Sequence, residues 1–179
     1  MSGDSTDSAL RYFAHSEVRP SQIDMVKDGM DALLGDGFLL ASAPTGIGKT
    51  AAALASAIAA QRTSTEHLRI LFLTGRQSQH KIVVDTVNKI NQQMPNNEGT
   101  LRLVDLIGRE GMCRNVDRMS GKCDCEENLD GNLREELRAD VRSQMFRQSM
   151  HVDDIIRVSR QVKLCPWATA RDAAKSCDI

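Results

Sequence analysis

Aromatic residues make up only 3% of this 179-residue chain. Its cores must therefore be assembled from Ala, Val, Leu, Ile and Met, and a stacking platform for bases would be sparse. Charge of one sign is also lacking: 23 Lys and Arg against 24 Asp and Glu leave a net charge of -1. That excludes an overall basic field and confines any complement to a polyanion to local patches. The longest apolar runs are too short to span a bilayer. The polar, acidic start Met-Ser-Gly-Asp-Ser-Thr-Asp-Ser has no basic region leading into an apolar stretch, which excludes a secretory signal. These absences point to a protein that works without a membrane, in the cytoplasm or, in a eukaryote, the nucleus. There is no internal repeat and no low-complexity tract.

What is present is an ordinary globular composition, 41% hydrophobic and 26% charged, in a length that suits one domain with an appendage. Of five cysteines, Cys113, Cys123 and Cys125 fall within "GMCRNVDRMSGKCDC" (111–125). In a reducing compartment, clustered thiols serve a metal or catalysis more often than a disulfide framework. The four histidines are scattered without ligand spacing. Cys177 reads as a small buried hydrophobe.

Residues 1–9 read as a flexible, disordered tail. Ile23, Val26, Met30, Leu33 and Leu34 then recur at helical spacing, with Ser21 as N-cap and Gly35-Asp36-Gly37 as the stop. The apolar runs Phe38–Ala41, Leu68–Thr74 and Leu101–Leu106 read as strands. They alternate with an alanine-rich helix from about Lys49 to Arg62 and a helix from Gln77 to Gln93 that turns Ile82, Val83, Val87 and Ile90 inward. This alternation predicts a parallel α/β sheet. The rhythm breaks after Leu106: 108–125 is too polar for a core of its own, and two helical stretches follow, ending at Cys165-Pro166.

"ASAPTGIGKT" (41–50) lies between the first strand candidate and the alanine-rich helix. A glycine-bearing loop there lets successive backbone N–H groups face a polyphosphate, with the helix N-terminus adding its positive end. Ala43, Pro44, Thr45, Gly46, Ile47 and Gly48 form the cradle, Lys49 reaches the β- and γ-phosphates, and the Thr50 hydroxyl ligates Mg²⁺. Lys49 and Thr50 are thus the candidate catalytic residues, and ATP with Mg²⁺ the candidate ligand. Ala43 stands where the general motif has its first Gly.

"RPSQ" (19–22), "APTGIGKT" (43–50), "LFLTGRQSQ" (71–79), "GREGMC" (108–113) and "CPWATAR" (165–171), in that order, resemble the Rad3/XPD-like superfamily 2 DNA helicases, which include the DinG branch. The resemblance implies a RecA-like P-loop NTPase sheet, incomplete here, carrying a cysteine-rich, mainly helical iron–sulfur insertion. It implies that Gln22 reads adenine, that Thr74, Arg76 and Gln79 lie on single-stranded DNA, and that Cys113, Cys123, Cys125 and Cys165 hold a [4Fe–4S] cluster. Arg109 and its neighbours Arg114 and Arg171 would lie along the DNA or near the cluster. Residues 10–107 would form the start of the ATP-binding domain, 108–170 the cluster domain, and 171–179 a return toward the sheet.

The Cys123-Asp124-Cys125 step is tighter than the family pattern, and four thiolates also suit tetrahedral zinc. No Asp-Glu-x-His segment, arginine finger or second RecA-like domain occurs in these 179 residues. The expectation is therefore the N-terminal part of a longer 5′ to 3′ DNA-repair or replication helicase, inactive alone and acting on single-stranded, forked or overhang DNA. The competing expectation is a nucleotide-binding switch module with a zinc-stabilised loop and no helicase activity.

Overall fold

The computed structural model describes residues 2–95, 97–117 and 119–179. Its helices are α1 (Ser2–Leu10), α2 (Pro20–Leu34), α3 (Lys49–Thr63), α4 (Gln77–Gln93), α5 (Arg109–Met112), α6 (Gly131–Arg147), α7 (Val152–Gln161) and α8 (Pro166–Ala173), followed by a 3-10 turn at Ala174–Ser176. Among the described residues no helix is long and apolar enough to cross a membrane. The chain divides into two units, Met1–Leu73 with Asp85–Gly99, and Thr74–Val84 with Thr100–Ile179.

In the first unit α1, α2 and α3 pack on one another. α1 covers Ser2–Leu10, where a tail was expected; Thr6 and Ala9 are buried, and Met1 lies outside the described residues. α2 starts two residues earlier than the Ser21 cap predicts, with Arg19 at the N-cap, because Pro20 has its φ preset and no N–H to satisfy in the first turn. The α2–α3 contact is close because small residues meet there. A Cβ on Gly29 would stand 2.6 Å from Ser56 Oγ, and that hydroxyl donates to Ala52 O (2.9 Å) and lies 3.2 Å from Val26 O. Ala51, Ala52, Ala55 and Ala59 are buried on α3, which is the packing role of the alanine run. On α4 Val83, Val84, Val87 and Ile90 are buried, whereas Ile82 is half exposed, so the inward stripe lies one position round from the predicted one.

The parallel sheet is not found: among the described residues no strand forms, so the RecA-like fold expectation is corrected to a helical architecture with irregular connections. Residues 38–44 and 67–74 form no regular secondary structure, with Phe38 and Leu40 each 96% exposed and Leu71 and Leu73 each 80% exposed. An interior strand would bury these side chains on both faces. The physical reason is that a continuous apolar run records only a preference for burial. A strand also needs a neighbour for its N–H and C=O groups, and pairing is a long-range property. The third run comes nearest: Arg102 O accepts from Asp178 N (2.8 Å) and Ile179 N (3.1 Å), and Val104 N donates to Ile179 O (3.1 Å). Arg102 completes this contact with a bidentate pair to Asp178, Nε–Oδ2 3.0 Å and Nη2–Oδ1 2.9 Å.

The second unit has a core of Met112, Val141, Met145, Val152, Ile155, Leu164, Ala170 and Ala173. The starts of α6, α7 and α8 have local causes. Asp130 accepts from Asn132 N and Leu133 N at the head of α6, His151 accepts from Asp153 N at α7, and Pro166 occupies the first position of α8. Asp105 locks α7 in place: its buried carboxylate accepts from Val152 N (2.8 Å), meets His80 Nδ1 at 2.5 Å and lies 3.9 Å from His151 Nε2. The negative charge sits at the positive end of α7.

Candidate metal centre and phosphate loop

Four thiols separated by up to 52 positions in sequence meet in the second unit. Cys113 follows α5, whose last residue Met112 is anchored in the core. The chain then reverses through a turn in which the Asp117 carboxylate accepts from Met119 N and Ser120 N (both 2.8 Å), and those amides hold its pKa below the ordinary value. An antiparallel bridge between Val116 and Cys123 closes the reversal. Cys165 is delivered by the head of α8, where its N–H donates to Glu126 Oε1 (2.9 Å) while Glu126 Oε2 pairs with Arg138 Nη2 (2.6 Å). The sulfurs of Cys113, Cys123, Cys125 and Cys165 all lie within 4.8 Å of one another, with Cys113–Cys125 at 3.3 Å and Cys123–Cys165 at 3.6 Å. Cys113 and Cys165 are buried, and Cys123 and Cys125 half-buried.

Arg109 brings a cation against the quartet. Its Nη2 lies 3.5 Å from Cys123 Sγ, its Nη1 donates to Gly121 O, and its guanidinium stacks 4.7 Å from the Trp167 ring centre, which Arg171 also faces at 4.7 Å. Burial raises the Cys123 thiol, but hydrogen bonds from Arg109, from the Cys125 backbone and from the neighbouring thiols outweigh it and bring Cys123 down to about 7. Burial and the adjoining thiols push Cys165 up to about 11 and Cys125 higher still. Cys123 is thus drawn toward its thiolate, whereas Cys125 and Cys165 are held as thiols. Cys177 stands apart from the quartet, buried, with its Sγ 3.3 Å from Ala174 O.

The phosphate loop lies in the first unit. Gly46 and Gly48 have φ of +84° and +87°, a region that side chains disfavour, and a Cβ on Gly48 would meet Gln22 Nε2 at 2.4 Å. Gln22 is buried and clamps the loop: Nε2 donates to Ile47 O (2.7 Å) and Oε1 accepts from Arg19 N (2.8 Å). Lys49 Nζ caps the turn from inside, donating to Ala43 O (2.7 Å) and Pro44 O (2.8 Å). Thr45 is exposed in the turn, and Thr50 is half-buried in the first turn of α3.

Thr74, Arg76 and Gln79 come together at the head of α4. Thr74 Oγ1 bonds Gln79 Oε1 and lies 3.3 Å from Arg76 N, and Gln79 N donates to Arg76 O (3.0 Å). Arg76 and Gln79 are exposed.

Residues 50–179 match the DEAD_2 family, the greater part of the chain. The chain belongs to the DEAD_2 family. This places it among DEAD-like helicase proteins related to Rad3/XPD, a family of ATP-dependent enzymes. No curated protein and no solved structure matches it.

The DEAD_2 match contains all four clustered cysteines, and their donor set can hold a metal ion. A single ion with bonds of about 2.3 Å would set thiolates at the corners of a tetrahedron about 3.8 Å on edge. The two short sulfur pairs lie close to that spacing. A four-iron cluster takes the same four thiolates on a larger tetrahedron, so it requires them to move apart. Either group leaves excess negative charge on the sulfurs, which Arg109 faces. Sequence reasoning missed Glu126, Arg138 and Asp105 as the residues that position this region. None belongs to a short motif; each acts on a backbone amide or side chain distant in sequence.

Proposed function

We infer that this DEAD_2 chain is the ATP-binding and metal-binding portion of a DinG-like, Rad3/XPD-type DNA helicase that couples ATP hydrolysis to movement on single-stranded DNA, 5′ to 3′. The observation that carries the reading is the Gly46–Gly48 turn running into α3 with Lys49 folded over it, in a chain of this family. Residues 10–107 carry the nucleotide function and 108–170 the metal function. On nucleotide binding, Lys49 exchanges the carbonyls of Ala43 and Pro44 for phosphate oxygens, which are stronger acceptors. The N–H groups from Thr45 to Thr50 turn to the β- and γ-phosphates, and the Thr50 hydroxyl takes Mg²⁺. Thr74, Arg76 and Gln79 bind the phosphates of the DNA strand, whereas Arg109, already engaged at Cys123, serves the metal centre. The metal group is a [4Fe–4S] cluster held by Cys113, Cys123, Cys125 and Cys165. When bound it ties three chain segments together by covalent bonds where packing alone is sparse.

Two measurements test this. Wild-type chain should bind a fluorescent ATP analogue in the presence of Mg²⁺, and Lys49→Ala should lose most of that binding; equal binding by both defeats the nucleotide assignment. Protein purified without oxygen should be brown, with about four irons per chain. Zinc is the second reading, favoured by the close sulfur spacing, and colourless protein with one zinc per chain selects it.

A further inference from the structure

α4 carries a polar stripe that the proposed function does not use. Lys89, Gln92 and Gln93 stand at i, i+3 and i+4, so they share one side of the helix, and all three are exposed while Val87 and Ile90 are buried. The three side chains line an open cavity of about 590 Å³ whose other walls include Gly46 and Gly48 of the phosphate loop and Arg19. That volume suits a nucleotide-sized ligand. His15, Ser16, Glu17 and Gln22 add to its polar lining. The fixed charges are thus Lys89 and Arg19 against Glu17, a net positive wall beside a loop built for phosphate. Among the described residues neither Lys89 nor Arg19 is engaged in an ion pair. Gln22 is only 5% exposed and has both ends of its amide bonded to the protein. The exposed amides facing the cavity are those of Gln92 and Gln93.

We propose that the Lys89–Gln92–Gln93 stripe of α4 is the second wall of the nucleotide site, with Lys89 neutralising the polyphosphate and the two amides hydrogen-bonding the base. This rests on the nucleotide-binding reading above and adds residues that lie outside the loop motif. Lys89 acts as a point charge whose effect scales with the number of phosphates. Gln92 and Gln93 offer both donors and acceptors, which is what reading a base edge requires.

The test is equilibrium binding of fluorescent ATP, ADP and AMP analogues to the full chain, with unlabelled ATP and GTP as competitors. Lys89→Ala should weaken ATP about tenfold, the scale of one charge-assisted contact, and AMP much less. Lys89→Arg should restore ATP binding, which loss of a merely structural residue would not predict. Gln92→Ala with Gln93→Ala should narrow the preference between ATP and GTP without altering the phosphate dependence. Thermal midpoints verify folding; Lys→Ala on an exposed helical position is well tolerated. If Lys49→Ala loses ATP while Lys89→Ala binds it with unchanged affinity and phosphate dependence, the second wall is overturned and the phosphate loop stands. If the wild-type chain binds no nucleotide, the reading beneath fails and the second wall with it.

Discussion

Replacing Asp105 by Ala removes a buried carboxylate whose partners come from three places in the second unit: Val152 N at the head of α7, His80 on α4 and His151. The side chain is 6% exposed, so water cannot substitute for it. A hydrogen bond to a charged acceptor contributes about 1.5–3 kcal/mol, and leaving the buried Val152 N–H without a partner is part of that cost. A negative charge at a partly buried helix N-terminus adds up to about 2 kcal/mol. Together these set the expected loss at about 2–5 kcal/mol, reaching the range for removing one member of a buried charged contact. Asp105→Asn keeps an acceptor for Val152 N–H and gives up the charge, so it should cost only about 1–2 kcal/mol. Trp167 is the only tryptophan in the sequence and lies in α8 of the same unit, so its fluorescence during urea unfolding reads the relevant transition. Wild type and variants must carry equal metal, because any bound ion adds its own stabilisation. A loss below about 1 kcal/mol for Asp105→Ala, or equal losses for Ala and Asn, would refute the argument.

The thiols give a pH test in metal-free protein. With Cys123 near pH 7, its alkylation should rise through that pH and level off above it, while Cys165, near 11, stays protonated and slow. Peptide mapping that finds Cys165 labelled first at neutral pH contradicts this. Arg109→Ala removes the cation bonded to Cys123, so the alkylation midpoint should move to higher pH, and an unchanged midpoint contradicts the assigned contact. Cys165→Ser should strip most bound metal and expose 108–130 to proteolysis, whereas retained metal would show that the quartet is not the ligand set. Gly29→Val should destabilise the first unit by about 1–3 kcal/mol through overpacking against Ser56. Circular dichroism melting checks it, and an unchanged midpoint would mean that α2 and α3 do not cross so closely.

What the sequence determined by itself was local or carried by short motifs. The helices at 20–34 and 77–93 were legible from apolar spacing, that at 49–63 from its alanines, and the turn at 46–48 from its glycines, because all depend on preferences or contacts within a few residues. Cys113, Cys123 and Cys125 were readable as metal-binding from their clustering, whereas Cys165 joined them only through the family resemblance. Tertiary structure decided whatever needed a distant partner. Three apolar runs gave no strand, since their pattern could not state what would pair with them. Glu126 and Asp105 became positioning residues only because folding brought backbone amides 39 and 47 positions away to their carboxylates. The "CDC" step at 123–125 says metal in one dimension. That its first thiol is the acidic one depended on a guanidinium folded back from Arg109, a placement that only the packed unit supplies.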